Sequence, residues 1–409
     1  VDDPRLFLRR LFDTAVAAAS DFSGIAEAIP EVAGRVHVIG AGKAAAAMAS
    51  AVERGLSDRR FSAPLSGFVV VPDGHGLTLA HLDLLFAAHP TPDERSEAAG
   101  GRALAEATSL GRDDLLVALI SGGGSSLMAA PAPGVTLADK VATTRMLLNA
   151  GQPIATMNAV RGRLSAIKGG GLARAAWPAR VMTFVVSDVP GDDPALVASG
   201  PTLGSRSIVA ALPRDLERRL APHVLARLSE RQDVAAPADM PFRIMATADM
   251  ALKAAAAVAE ASGVRVLNLG GALDGGAGQL ARDHAERVRL LSDTGPVLIL
   301  SGGETTVRVT GLGRGGRNTE YLLALALALD RHPEVYAIAA DTDGWDGVGP
   351  AAGAFCDPTT LARARSAGLS ATASLADNDS LTLFERLGDA IVTGPTRTNV
   401  NDFRAILVR

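Results

Sequence analysis

From Val36 onward, short apolar, β-branched runs alternate with longer Ala-rich stretches in which charged residues recur at helical spacing. VHVIG, GFVVVP, LLVALIS and VMTFVVSD read as buried strands, with KAAAAMASAVERGL and ERSEAAGGRALAEAT as helices between them. A second series, FRIMAT, VRVLNLG, PVLILSGG and VYAIAADTDG, is interleaved with ADMALKAAAAVAEASG and TEYLLALALALDR. Such alternation builds βαβ units, because a parallel neighbour is reached only by a crossover over one face of the sheet. The pattern predicts fold class α/β: two α/β domains with largely parallel sheets and an inter-domain cleft. The division falls in RLSERQDVAAPADMPF, charged and then rich in Ala and Pro, giving domains 1–238 and 239–409. The Arg-rich PRDLERRLAPHVLARLSER just before it mixes in Asp and Glu at helical spacing and reads as a solvated helix face.

Length and composition narrow the class. At 409 residues the chain exceeds what one core usually organises, which supports two domains. A 48% hydrophobic fraction with 43 Gly and only 4% aromatic residues suits an enzyme-like α/β chain and excludes disorder. With 40 basic residues against 44 acidic ones the net charge is -4, so there is no broad positive field, and neither nucleic acid nor membrane is an expected partner. Any anion must be caught locally. Cys356 is the lone cysteine, which rules out an internal disulfide and an all-cysteine zinc site and points to a reducing cytoplasm. VDDPRLFLRRLFDTAVAAA reads as an amphipathic helix interleaved with charge rather than a signal peptide, and no apolar run reaches the roughly 20 residues needed to span a bilayer. A soluble, cytoplasmic protein is the expectation.

Three of the predicted strands open into glycine turns. GAGKAA, Gly40 to Ala45, matches the Gly-x-Gly-x-x-Ala fingerprint of a dinucleotide turn. The acid expected about 20 positions later to hold a ribose is not clearly supplied. Glu53 sits within the following helical pattern, and Asp73 comes late, after a proline. A P-loop is excluded because Ala follows the lysine. Lys43 would stand at a helix N-terminus, where a cation opposes the helix dipole and is tolerated best when an anion joins it. LISGGGSSL places Ser121, Gly122, Gly123, Gly124, Ser125 and Ser126 in one turn, and LSGGETTV places Ser301, Gly302, Gly303, Glu304, Thr305 and Thr306 in another. Bare amides and hydroxyls at strand carboxyl ends suit phosphate oxygens. With Gly40 and Gly42, these residues (Thr306 aside) form the candidate nucleotide- and phosphate-binding set. No Gly-x-Ser-x-Gly elbow surrounds Ser125, so a nucleophilic serine is not expected.

Acids and arginines follow further strands. In VVSDVPGDDPALVASGPT, Asp188 stands just past a strand, where a carboxylate can accept a proton or hold a cation, while Asp192 and Asp193 serve equally well as helix caps. AADTDGWDGVGP carries Asp341, Asp343 and Asp346 at a spacing that fails the calcium-loop template, leaving Mg2+ with nucleotide phosphate as the simpler partner. GLGRGGRNTEYLLALALAL puts Arg314 and Arg317 in a glycine-rich loop at the mouth of an apolar helix, able to fork onto a carboxylate or phosphate. Thr396, Arg397, Asn399, Asn401 and Asp402, near the end, read as turn builders.

Taken together, GAGKAAAAM, HPTPD, LISGGGSSL, IKGGGLA, SDVPGDDPALVASGPT, LSGGETTV, GRGGRNTEYLLALA, AADTDGWDG and TGPTRTNVND resemble the glycerate 2-kinase family with a C-terminal MOFRL domain, over most of the chain. The resemblance implies a Rossmann-like first domain and a MOFRL-containing second one. It implies transfer of the ATP γ-phosphoryl group to the 2-hydroxyl of D-glycerate, giving 2-phosphoglycerate, with ATP and Mg2+ as cofactors and a small hydroxy acid as substrate. Lys43 and Arg317 are its charge-stabilising pair. Asp188 is the choice for base or metal ligand, with Asp341 and Asp343 as further metal candidates. Members also carry the label hydroxypyruvate reductase, the NAD(P)H-dependent alternative. A kinase agrees better with the residues, since phosphoryl transfer is mostly positioning and charge neutralisation, whereas hydride transfer needs far less positive charge. Oligomeric state is not legible, a homodimer being one option.

Overall fold

A computed structural model describes residues 1–152, 154–204, 212–230, 240–291, 295–330, 332 and 334–409. The chain forms two compact units, residues 22–245 and residues 1–21 with 246–409. The expected boundary at 238/239 lies outside the described residues. The division found differs from it in assigning the N-terminal segment to the C-terminal half.

The first unit is built on a six-stranded sheet of order β3-β2-β1-β4-β5-β6. Its strands are β1 Val36–Ala41, β2 Leu65–Pro72, β3 Asp83–Ala87, β4 Leu115–Ile120, β5 Arg180–Val186 and β6 Phe242–Ala246. The β1–β2, β2–β3, β1–β4 and β4–β5 pairs are parallel, as the alternating pattern predicts. β1 and β4 are buried along their whole length, which is why they read as continuous apolar runs. Small side chains bring the helix Ala45–Asp58 close to the sheet, with Ala45, Ala46, Met48, Ala49 and Val52 buried. Ala41 pairs with Ile120 and Ile120 with Val185, so the turns after β1, β4 and β5 leave the sheet side by side. Strand order reverses between β1 and β4, and such a switch point is where open parallel sheets bind ligands.

The second unit holds β7 Arg265–Asn268, β8 Val297–Gly303, β9 Val335–Asp341, β10 Gly353–Cys356, β11 Ala390–Ile391 and β12 Asp402–Val408, in the order β11-β10-β9-β12-β8-β7. A largely parallel arrangement was the expectation for this sheet, and it needs correction. Among the described pairings β7–β8 is parallel, while β8–β12, β12–β9, β9–β10 and β10–β11 are antiparallel. The C-terminal strand is the reason. β12 enters from the 392–401 loop without a helical crossover, inserts between β8 and β9, and runs against both. Asp402 therefore begins its strand opposite Gly303 on one side and Asp341 on the other, where β8 and β9 end.

The helix Pro4–Ala19 packs in this unit although it opens the chain. Asp3 caps it by accepting from Leu6 N at 3.0 Å, Phe12 lies tilted against Phe403 with ring centroids 5.8 Å apart, and Thr398 Oγ1 donates to Ala19 O at 2.6 Å. Its buried face of Phe7, Leu8, Leu11, Phe12 and Ala15 supplies the anchoring energy, at about 1.5–3 kcal/mol for each large side chain. Among the described residues no helix is long and apolar enough to cross a membrane.

Candidate functional site

In the first unit, the turn after β1 is stitched to the turn after β4. Lys43 N donates to Gly122 O at 3.0 Å, Ala44 N to Ser121 Oγ at 3.0 Å and Gly42 N to Val70 O at 3.2 Å. Amides that a dinucleotide turn would offer to a pyrophosphate are here satisfied by protein acceptors. Gly42 is needed for this close approach: φ is 132°, and a Cβ would lie 2.1 Å from Ser121 Oγ. Gly40 lies inside β1, where a Cβ would meet Val69 Cγ1 at 2.7 Å. Both glycines thus do packing work. The two acids considered for a ribose are also committed. Buried Glu53 accepts from the amides of Ala80, His81 and Leu82 at 2.8, 2.7 and 2.9 Å, and Asp73 takes the Arg95 fork at 2.9 and 3.0 Å.

The turn after β4 behaves differently. Gly123, at φ 83°, caps the short helix Gly124–Leu127, and among the described hydrogen bonds the amides of Gly122 and Gly123 donate none. Both glycines line a cavity of about 410 Å³ together with His89, Ser125, Ser126 and Asp188. Lys43 runs beside it, since its Cγ lies 3.8 Å from where a Gly123 Cβ would stand. The structure therefore brings Lys43, the first Ser-Gly-Gly turn and Asp188 together within one unit. Asp193 accepts from Ala195 N at 2.9 Å and acts as a local cap.

Ser125 is the hub of this region. Arg161 Nη2 and Lys168 Nζ both donate to its Oγ, and Ser199 Oγ lies 3.3 Å away. Lys168 is held there because Gly169 N and Gly170 N donate to Ser199 O and Gly200 O at 3.1 and 2.8 Å. Ala198 and Ser199 adopt left-handed φ values of 50° and 62°, a strain of order 1–3 kcal/mol each for non-glycine residues. Strain of this kind clusters at functional sites. Lys140 completes the group, its Nζ donating to Ala130 O at 3.3 Å. Lys140 and Lys168 are only 8% and 5% exposed, and among the described residues neither they nor Arg161 pairs with a carboxylate. Burial, with the neighbouring Arg161 charge, pushes the Lys140 ammonium down to about 8 and holds Lys168 well below the usual lysine range; burial also lowers Arg161. None of these three cations was picked out from the sequence.

In the second unit the other Ser-Gly-Gly is a strand end rather than a turn. Ser301, Gly302 and Gly303 complete β8 and pair with β12. Gly302 N donates to Gly270 O at 2.9 Å, and a Cβ on Gly303 would sit 2.1 Å from Leu273 O. Thr305 Oγ1 accepts from Arg404 Nη2 at 3.2 Å, and Thr306 N donates to Gly275 O at 2.8 Å. The expected second amide cradle is corrected accordingly: β12 and the 270–275 segment take the hydrogen bonds that a loop would leave to a ligand.

Arg317 opens the helix Arg317–Leu329 and forks onto three carboxylates. Its Nε reaches Asp402 at 2.7 Å, its Nη2 reaches Asp341 at 2.6 Å and its Nη1 reaches Glu304 at 2.9 Å. Burial works against its charge, but Asp402, Asp341 and Glu304 more than compensate and hold it above the usual arginine range. Asp402 also accepts from Asn318 Nδ2 at 2.7 Å and from Arg404 Nη2. It is the buried centre of an ion network, not a turn builder, although Arg397 and Asn401, at φ 64° and 65°, do shape the loop before it. Asp346 accepts from Asn318 N and Thr319 N at 2.9 and 2.8 Å, and so caps the helix. Asp341 Oδ1 accepts from Asp343 N at 3.0 Å, and Asp343 Oδ1 from Trp345 N at 2.8 Å. Asp341 and Asp343, expected as metal candidates, are thus engaged by these bonds and, for Asp341, by the Arg317 contact. Among the described residues no three His, Cys, Asp or Glu are arranged to hold one. A single carboxylate beside phosphate oxygens is enough for Mg2+, and Asp188, lining the Gly122–Gly123 cavity, fits that part. Arg314 forks onto Glu385 at 3.0 and 3.1 Å, a protein carboxylate taking the place of the expected ligand.

Fold and geometry define a two-unit α/β protein with a glycine turn and buried cations at the switch point of its parallel sheet. Comparison with known proteins agrees. Residues 7–228 match the model of a domain of unknown function, DUF4147, and residues 297–402 match the MOFRL family. A protein of Agrobacterium vitis provisionally named hydroxypyruvate reductase is 47% identical over 99% of this chain and 94% of its own length. The glycerate 2-kinase of Pyrococcus horikoshii is 31% identical over 98% of this chain and 96% of its own length. The crystal structure of a Thermotoga maritima glycerate kinase superposes with a TM-score of 0.88 at 29% identity, covering 100% of both chains. The chain belongs to the glycerate 2-kinase family with a C-terminal MOFRL domain.

Proposed function

We propose that this protein is a glycerate 2-kinase that transfers the γ-phosphoryl group of ATP to the 2-hydroxyl of D-glycerate, with Mg2+, in the cytoplasm. The observation that carries this reading is the cavity in which Asp188 faces the Gly122–Gly123 turn, Ser125 and Arg161, in a chain that matches glycerate 2-kinases over nearly its whole length. A phosphoryl group in transit spreads negative charge over its oxygens, and fixed amides and cations stabilise that charge without reorganising. The Gly122 and Gly123 amides and the Lys43 ammonium are the donors proposed for it. Asp188 is proposed to take the proton of the acceptor hydroxyl or to hold Mg2+, which would add charge neutralisation at the phosphate oxygens.

The provisional name of the Agrobacterium relative favours a second reading, NAD(P)H-dependent reduction of hydroxypyruvate. Against it stand the commitment of Glu53 to three backbone amides and of Asp73 to Arg95, which leaves neither to hold a ribose. One experiment separates the two readings: purified protein with ATP, Mg2+ and D-glycerate in parallel with NADPH and hydroxypyruvate. Glycerate-dependent ATP consumption with 2-phosphoglycerate formed is the expected result. NADPH oxidation without ATP consumption overturns the kinase reading. Asp188→Asn should lower kcat by about 100-fold or more with an unchanged Tm, because an amide neither takes a proton nor neutralises a cation.

A further inference from the structure

Beside the Asp188 cavity lies a second one, of about 250 Å³, that shares Pro90, Ser125, Ser126 and Arg161 with it. Its lining combines two chemistries. Lys140, Arg161 and Lys168, with Arg145, supply cations, and Val141, Leu148, Val160 and Leu164 supply apolar surface. Resting on the kinase reading, we propose that this second cavity is the nucleotide site: the triphosphate lies against Lys140, Arg161 and Lys168, and the base and ribose lie along the apolar surface. The Asp188 cavity is then left to the hydroxy acid.

Charge carries the argument. Buried cations are retained in proteins when an anion or a carboxylate pairs with them. Among the described residues none of the three makes an ion pair: their hydrogen bonds go to the Ser125 hydroxyl and the Ala130 carbonyl, and Glu97 acts on Lys140 without pairing with it. Ser125 Oγ takes a bond from both Arg161 and Lys168, so a neutral oxygen stands where a phosphate oxygen would bind more strongly. A monocarboxylate would answer one cation and leave the others uncompensated, whereas a polyphosphate spans all of them. Apolar lining does nothing for glycerate, which has no apolar surface to bury, but it suits a purine. Ser125, Ser126 and Arg161 belong to both cavities, so the end of a phosphate chain bound in one would face an acceptor in the other.

The test is calorimetric titration of the full chain with ATP, inorganic tripolyphosphate and D-glycerate, in wild type, Lys168→Met and Arg161→Met, with Tm measured with and without each ligand. Wild type should bind both ATP and tripolyphosphate. Each variant should weaken both by about 30-fold or more, and Lys168→Met, whose residue lines the second cavity alone, should change the glycerate Kd less than about threefold. Unliganded Lys168→Met should melt at or above the wild-type Tm, since an uncompensated buried cation is gone, and its rise in Tm with ATP should vanish. A lysine that merely supports the fold gives the opposite: a lower unliganded Tm with the ATP-induced rise retained. If ATP affinity stays within about threefold in both variants, or if glycerate binding is lost instead, the assignment is overturned. Should Lys168→Met not fold, Lys140→Met carries the same comparison, since Lys140 also lines the second cavity alone. Wild type that binds ATP but does not phosphorylate glycerate defeats the kinase reading and leaves the site. Wild type that turns over, with variants that bind ATP normally, does the reverse.

Discussion

Replacing Arg317 by Met should destabilise the second unit by about 3–5 kcal/mol, the range for a buried ion pair that loses one partner. Its three contacts contribute unequally. The Glu304 side chain is 56% exposed, so that pair contributes under about 1 kcal/mol. Asp341 and Asp402 have side chains only 6% and 0% exposed. Each loses a hydrogen bond between charged groups worth about 1.5–3 kcal/mol. Asp402 falls at the low end because Asn318 and Arg404 still donate to it. Arg317→Lys should lose roughly half as much, since one ammonium cannot copy the fork on three carboxylates. Adding Asp341→Asn to Arg317→Met should recover about 2 kcal/mol by removing one uncompensated charge. Trp345 stands in the 341–346 turn of this unit and Trp177 belongs to the other. Urea unfolding followed by fluorescence in a Trp177→Phe background therefore reports the affected unit alone, which matters because two units need not unfold together. A loss below about 1 kcal/mol in Arg317→Met, or no recovery in the double variant, refutes the view that this arginine is fixed by buried charge.

His284 is 2% exposed, hydrogen-bonded to Tyr321 Oη at 2.6 Å, and lowered to about 4 chiefly by burial and then by the Arg404 charge. Its unfolded form takes up a proton near pH 6.5 while the folded form does not, so stability present above that pH should fall by about 2 kcal/mol between pH 7 and pH 5. Urea midpoints that do not differ between wild type and His284→Gln over this range would exclude it. Glu53→Gln should cost about 1.5–3 kcal/mol, because the amide turns a donor toward the backbone N–H groups of residues 80–82. An unchanged Tm would count against that account. Gly42→Ala should cost about 3 kcal/mol or more and abolish turnover, since its Cβ would overlap Ser121 Oγ at a φ of 132°. Near-normal expression, Tm and kcat would show that the two turns are not stitched as described.

Much of the first unit was legible because burial on both faces writes its strands as unbroken apolar runs, and crossover helices of small residues separate them. Asp188 was legible for the same reason, since a carboxylate after such a run stands at the rim of a parallel sheet. Lys140, Arg161 and Lys168 were not. Lys140 and Arg161 lie on helices, Leu137–Asn149 and Ile154–Arg163, where a basic residue at helical spacing reads as solvent-facing. Their burial is decided by chain segments far away, namely the Gly123–Ser126 turn and the left-handed Ala198–Ser199 pair. IKGGGLA did carry a local sign, since a lysine directly before three glycines gains close backbone approach, here to Ser199 and Gly200.

The two Ser-Gly-Gly runs show why a repeated motif does not imply a repeated site. Both follow a fully buried strand, and up to the glycines nothing local distinguishes them. What separates them is the neighbour at the strand's end. β4 is flanked by the parallel strands β1 and β5, which stop in step with it, so the chain beyond Ser121, whose N still donates to Ala41 O, has no strand to pair with and turns into a cap whose glycines line a cavity. β8 is flanked by β12, which runs the other way and begins where β8 ends, so Ser301 to Gly303 stay in the sheet through pairing with Asp402 to Arg404. That strand lies about a hundred residues downstream, beyond the reach of any local pattern. The same insertion delivers Asp402 to Arg317, so the topology that removes the second cradle also builds the ion network. A carboxylate at position 402 is needed only because β12 is antiparallel and starts between two strand ends.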